Sequence, residues 1–140
     1  MVRGNAFTGQ HMAFSLATWN INSVRLRADL VLKLLAEETP DVLCLQECKS
    51  PVDKMPLDVF AQAGYSYVVA RGQKGYNGVA ILSKIPMEAA VSVYFASVGP
   101  ARHIARNSEY GVTVHIFYVR AGGDVADRAV NEHFVLILDY

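Results

Sequence analysis

The sequence predicts an α/β fold, a mixed β-sheet with helices on one face. Three observations carry this expectation. Two short apolar runs, residues 14–18 and 41–47, lead into polar side chains, as buried strands with functional ends do. Between them, residues 24–38 repeat apolar side chains at Leu26, Leu30, Val31, Leu34 and Leu35, which is helical spacing. A glycine-rich segment, residues 72–78, separates two more strand-like runs, residues 65–70 and 79–83, as the tip of a β-hairpin does.

The first run enters Trp19-Asn20-Ile21-Asn22, and Ser23 is a residue type that caps a helix. Arg25, Arg27, Asp29, Lys33, Glu37 and Glu38 fall mostly on the other face of that helix, and Pro40 prevents it continuing. Strand, helix and strand with short connections make a βαβ unit. Its crossover joins parallel strands or, in a mixed sheet, more distant ones. Residues 51–56 read as a loop, and residues 57–63 as a short helix stopped by Gly64. Residues 91–95, 102–105 and 112–118 suggest further strands, Gly122-Gly123-Asp124 a break, and residues 131–140 the beginning of a helix. Residues 1–13 read as a disordered extension ahead of a domain over residues 14–140.

A length of 140 residues suffices for one domain. Hydrophobic residues at 52% against 19% charged exclude a disordered chain. The 13 basic and 13 acidic side chains balance, so any nucleic-acid contact must be local. No apolar run approaches a transmembrane length, and the opening residues lack the apolar stretch of a secretory signal; no membrane partner is expected. Cys44 and Cys48 lie on a strand and its end, badly placed to bridge, and lack zinc-type partners. Reduced thiols in a cytoplasmic protein are the expectation.

Asn20 and Glu47 each sit just past an apolar strand. If both strands share a sheet, the two side chains meet at one edge, where α/β folds place ligands. A carboxylate beside amides suits Mg²⁺, which prefers hard oxygen and needs only one or two carboxylates. On spacing alone, the plainer reading of Glu47 as an exposed strand-end acid is favoured.

Four ordered blocks change that weighing. Ala17-Thr18-Trp19-Asn20-Ile21-Asn22-Ser23-Val24-Arg25-Leu26-Arg27 resembles the opening motif of the exonuclease III/AP endonuclease branch of the endonuclease/exonuclease/phosphatase superfamily. Pro40-Asp41-Val42-Leu43-Cys44-Leu45-Gln46-Glu47-Cys48-Lys49 resembles its second motif. Gly72-Gln73-Lys74-Gly75-Tyr76-Asn77-Gly78 with residues 79–83 is similar to the next, and residues 115–124 to the fourth. Their order and spacing fit from about Phe14 to the end of the chain.

The resemblance implies phosphodiester hydrolysis at abasic sites and 3′ ends of duplex DNA, with Mg²⁺ as cofactor and Mn²⁺ as its alternative. It implies Glu47 as metal carboxylate, Asn20 as the amide ordering metal and phosphate, and Tyr118 as the tyrosine near the scissile phosphate. Asn22, Gln46 and Lys49 would support the site. Arg25 and the Lys74, Tyr76 and Asn77 tip would contact the DNA backbone, although Arg25 as a solvated charge and Tyr76 as hairpin filler are equal bets. The implied fold is one half of a four-layer α/β sandwich with the second sheet largely missing. The exposed sheet face would then be covered by a homodimer or a separately encoded C-terminal half.

The sequence also departs from the family pattern. A Gly-Asp-x-Asn element and an Asp-His catalytic pair are not found, and none of His11, His103, His115 and His133 has the Asp partner such a pair needs. Ile116 stands where Asn is usual, Arg120 where Pro is usual, and Cys48 for a common Thr. An incomplete, weakly active or inactive nuclease fragment is therefore the first expectation. A non-catalytic DNA-binding or assembly module is the second, and a phosphoinositide or other phosphoester hydrolase the third.

Overall fold

The computed structural model describes residues 14–90 and 101–118. The expectations for residues 1–13, 91–95, 122–124 and 131–140, and for Arg120, lie outside them. In chain order the elements are β1 (Leu16–Asn20), α1 (Ala28–Glu37), β2 (Val42–Gln46), a 3-10 turn (Val52–Lys54), α2 (Leu57–Gln62), β3 (Tyr67–Arg71), β4 (Val79–Ser83), β5 (Met87–Ala89), β6 (His103–Ser108) and β7 (Thr113–Phe117). The fold class is the α/β arrangement that the sequence predicts.

The first sheet has the order β1-β2-β4-β3. β1 and β2 are parallel neighbours, with Asn20 opposite Gln46, and α1 is the crossover between them. β2 and β3 each pair antiparallel with β4, so the sheet is mixed. An antiparallel second sheet follows, in the order β5-β6-β7.

Two-sided burial explains the unbroken apolar run of β2. Leu43 and Leu45 pack with Val31 and Leu35 of α1 and Phe60 of α2. Val42 and Cys44 point the other way, into a second cluster with Val79 and Ile81 of β4, Ile104 of β6, and Val114 and Ile116 of β7. Strand residues alternate faces, so a strand buried on both sides must be apolar at every position. Cys44 and Cys48 belong to opposite clusters and are both free, and burial pushes each thiol up to about 12.

The second cluster corrects the expectation of a bare sheet face. β6 and β7 of the same chain cover the side of β2 and β4 that faces away from the helices. The exposed-face argument for a homodimer or a separate half therefore does not hold there. Residues 102–105 and 112–118 read as strands from the sequence, but which face they cover is set by packing: Ile104, Val114 and Ile116 bury against the first sheet. Where the sheets part beside β3, a cleft of about 380 Å³ opens among Tyr67, Val69, Met87 and Arg106.

The start of α1 is also corrected. Ser23 is not its cap; the cap position is Arg27, with no side-chain bond to the helix. The Ser23 N–H is taken by the Glu47 carbonyl at 2.8 Å and the Val24 N–H by the Cys48 carbonyl at 3.1 Å. The chain leaving β1 is thus held alongside the chain leaving β2 before it can wind. Leu26 consequently falls off the apolar face of the helix and is 82% exposed, while Val31 and Leu35 are buried.

Gly78 ties the hairpin to this edge. Its φ is +93°, and a Cβ there would lie 3.1 Å from the Cys48 Cβ and 3.3 Å from the Lys49 N. Gly78→Ala should cost about 1–3 kcal/mol of unfolding free energy in urea titration, from left-handed strain plus crowding. Ile81→Ala should cost about 2–5 kcal/mol in the same measurement. A loss well under 1 kcal/mol would contradict close packing of the two sheets.

Candidate metal and phosphate site

The parallel pairing of β1 and β2 brings Asn20 and Glu47 to the same sheet edge. Asn20 Nδ2 donates to Glu47 Oε1 at 3.0 Å. The Tyr118 hydroxyl, arriving from the end of β7, donates to the same oxygen at 2.9 Å. Its position is set by its own N–H, which bonds the Arg102 carbonyl at 2.8 Å and extends the β6–β7 pairing. Lys49 Nζ lies 3.3 Å from Glu47 Oε2 and donates to Asn22 Oδ1 at 2.6 Å. One carboxylate therefore gathers side chains from β1, from the loop after β2 and from the second sheet.

Backbone strain concentrates at this edge. Six non-glycine residues among those described have positive φ, and five lie here: Asn22 (47°), Ser23 (85°), Glu47 (53°), Lys49 (50°) and Asn77 (53°). Each such conformation costs of order 1–3 kcal/mol and persists where surrounding structure holds it, commonly at functional sites. The holding bonds are visible. Cys48 N–H bonds the Gly78 carbonyl at 3.0 Å, and Lys49 N–H bonds the Asn77 carbonyl at 2.8 Å.

The electrostatics favour the ionised carboxylate. The Asn20 hydrogen bond holds the Glu47 carboxyl below the ordinary 4.5 of a glutamate; partial burial opposes this, and Tyr118 and Lys49 reinforce it. Glu47 is a carboxylate at neutral pH. Among the described residues there is no group of three or more His, Cys, Asp or Glu that could hold a metal. A zinc-type cage is thus not built here. One ionised carboxylate beside a side-chain amide is the hard-oxygen donor set that fits Mg²⁺, which retains much of its water.

Asn20, Asn22, Glu47, Lys49 and Tyr118 are brought together. Gln46 is not in that network; its Nε2 donates to Thr18 Oγ1 of β1 at 2.8 Å. Arg25, Lys74 and Tyr76 are exposed on the loops flanking the site, Tyr76 by 54%. Asn77 departs from the exposed tip expected of it. Its side chain is only 6% exposed, and its Oδ1 is buried without a hydrogen-bond partner, because the turn folds down onto Cys48 and Lys49.

Two features escaped sequence reasoning. Arg27 donates from Nη1 to the Asn22 carbonyl, pinning the turn beside the site. It looked like one charge of a helix face, and only the late start of α1 frees it. His103 and His115 approach to 3.3 Å between ring nitrogens, and the His103 ring stacks on Phe117 at 4.3 Å. Strand periodicity placed neither ring, because strand register was not known.

Comparisons with known proteins identify the family and the fold. The profile of the Endonuclease/Exonuclease/phosphatase family matches residues 17–138. Exodeoxyribonuclease III of Haemophilus influenzae is 37% identical over 67 residues, which are 48% of this chain and 25% of that protein. An exodeoxyribonuclease of Bacillus subtilis is 38% identical over 74 residues, covering 49% of this chain and 27% of that protein. A 3′ phosphatase, NExo, from Neisseria bound to a product DNA hairpin superposes with TM-score 0.67 at 37% identity, covering 76% of this chain and 41% of the other. An AP endonuclease from Archaeoglobus fulgidus gives 0.65 at 38% identity, covering 74% and 40%. The chain spans about a quarter of the curated relatives' length and about two fifths of the solved ones. A family profile matched over residues 17–138, with exodeoxyribonuclease relatives and a fold shared with NExo and the AP endonuclease, places this chain in the endonuclease/exonuclease/phosphatase family, in its exonuclease III/AP endonuclease branch.

Proposed function

We propose that this chain carries the metal-binding end of a DNA phosphodiesterase site of the exonuclease III type. The substrate is duplex DNA at abasic sites and 3′ ends, the cofactor Mg²⁺ or Mn²⁺, and the compartment the cytoplasm. The single observation that carries the reading is the convergence of Asn20, Lys49 and Tyr118 on the Glu47 carboxylate. DNA as substrate is supported by the exodeoxyribonuclease relatives and by the DNA-bound Neisseria 3′ phosphatase.

Each side chain has a role that its contacts suit. Glu47, with the Asn20 amide beside it, would hold the ion, which when bound polarises a phosphoryl oxygen. Lys49 places an ammonium where phosphate charge would lie. The Tyr118 hydroxyl is a fixed donor that can turn from Glu47 to a phosphate oxygen. Arg25, Lys74 and Tyr76 stand where a DNA backbone would pass; Asn77 acts through the turn rather than by contact. Asn22 orients Lys49, and Gln46 braces β1 through Thr18.

We also propose that the chain alone cleaves weakly or not at all, since it matches only a part of its relatives. A non-catalytic DNA-binding or assembly module is the second reading. Ile116 favours it, since the family pattern has a polar Asn there and this Ile is 2% exposed in the core between the sheets.

Calorimetric titration should show Mg²⁺ binding that Glu47→Ala abolishes, with little cleavage of a duplex bearing an abasic site. Robust turnover lost in Glu47→Ala would keep the nuclease reading and overturn the incompleteness. Absence of both Mg²⁺ binding and DNA binding would remove the nuclease reading altogether. Mg²⁺-independent duplex binding would favour the module.

The pH dependence has a definite sign. The Glu47 pKa is depressed in the folded state, so its contribution to stability is present above the unfolded value and lost as pH falls below 4.5 through the folded value. Glu47→Gln should flatten that acid limb in thermal melts. Tyr118→Phe should move the Glu47 carboxyl titration, followed by NMR, back toward 4.5, and an unchanged titration would show that the hydroxyl does not bind there.

A further inference from the structure

His103 and His115 lie diagonally across β6 and β7, on the face turned away from the first sheet. Alternation decides that face, since Ile104, Val114 and Ile116 at the positions between bury against the first sheet. The two rings are 14° from parallel with centroids 5.6 Å apart, and their facing nitrogens, Nε2 of His103 and Nδ1 of His115, are 3.3 Å apart. A centroid gap wider than the nitrogen gap by a ring radius at each end places both nitrogens on the line between the rings. The rings therefore meet edge to edge, with room on that line for one hydrogen. His103 is also clamped on its face. Its ring stacks at 4.3 Å on that of Phe117, its register partner, and is only 7% exposed. The next pair along the ladder is Arg102 and Tyr118, joined by the bond from the Tyr118 N–H to the Arg102 carbonyl. The Tyr118 hydroxyl then reaches Glu47 at 2.9 Å. One continuous chain of contacts runs from the imidazole pair to the carboxylate.

We propose that His103 and His115 position Tyr118 through the hydrogen they share, and that charging both rings releases it. This names a regulation of the metal and phosphate site and rests on that reading of it. In the neutral pair one ring donates and the other accepts. A single added proton leaves an imidazolium donating to a neutral ring, which strengthens the contact. A second puts a hydrogen on each facing nitrogen, so two like charges and two donors meet where one hydrogen fits. His103 cannot swing aside without leaving Phe117, and a shift of Phe117 carries Tyr118 with it. The surroundings oppose that second proton. Burial, then the charge of His115 and of Arg71 on β3, hold the His103 imidazole below its ordinary 6.5. Glu88 of β5 is the acid on the same face, opposite Asn107 in the register. Arg102 and Arg106 fall on the alternate positions with Ile104, and β4 brings no charged side chain. The folded pKa is depressed, so the contribution to stability is present above 6.5 and lost as pH falls below it.

The test follows the full chain by ¹³C NMR without Mg²⁺ or DNA. Tyr118→Phe assigns the Tyr118 Cζ signal, and circular dichroism checks each fold. Between about pH 8 and 5 that signal should show a step whose midpoint matches the titration of the His103 ring. The step lies above the range in which Glu47 titrates, which is below 4.5. His115→Asn, at an exposed position, keeps a facing side chain that accepts as readily as it donates and takes no charge. There His103 still titrates, and the Tyr118 step should disappear. His103→Gln combined with His115→Asn should hold Tyr118 at its neutral-pH signal throughout. A step that persists in His115→Asn, or a wild-type Tyr118 signal that ignores the His103 titration, would overturn the positioning role while the reading of the site stands. A Tyr118 signal already at the free-tyrosine position near pH 8 would overturn the Glu47–Tyr118 arrangement and this proposal with it.

Discussion

A carboxylate at the end of a buried strand must be held by donors, and here those donors come from two separate sheets. Asn20 and Lys49 reach Glu47 from the first sheet and the loop after it, and Tyr118 reaches it from the second. The Tyr118 bond of 2.9 Å exists only if β7 lies against the first sheet in one register. The site is thus a consequence of sheet packing. Ile104, Val114 and Ile116, in the apolar cluster that Tyr118 packs against, decide whether its tyrosine arrives.

The same edge carries most of the unfavourable backbone geometry. Positive φ at Asn22, Ser23, Glu47, Lys49 and Asn77 is affordable because the two chains leaving β1 and β2 bond each other and the hairpin turn bonds both. Rigidity follows from this mutual fastening. A preorganised carboxylate and ammonium need no rearrangement when a phosphate or a cation approaches. It also explains why α1 starts late. The bonds to the chain leaving β2 hold Asn22 and Ser23 at positive φ, outside helical geometry.

Neutral overall charge is compatible with the proposed phosphate site because the charge is unevenly placed. Arg25, Arg27 and Lys49 belong to the loops that leave β1 and β2, and Lys74 to the hairpin turn between β3 and β4. The pairing of Lys33 with Glu37 lies out on the solvent face of α1, and that of Lys84 with Asp41 joins the ends of β2 and β4 away from Glu47. Local fields act within roughly a Debye length, about 8 Å at physiological salt, so the arrangement at the rim matters more than the sum.

The sequence by itself determined most of the strands, though not β5, the crossover helix between β1 and β2, and the residues available at the sheet edge. Periodicity suffices for that, because alternation and helical spacing are local properties. Ordered motif blocks then named Asn20, Glu47 and Tyr118 together, although 71 residues separate Glu47 from Tyr118. Only the tertiary structure decided that the chain covers its own sheet with β6 and β7, that Asn77 turns inward, that α1 begins at Ala28 rather than after Ser23, and that Leu26 is exposed. The turn at Asn77 and the start of α1 depend on backbone bonds to segments distant in sequence, and the cover by β6 and β7 on apolar packing between the sheets, all beyond the reach of any local pattern.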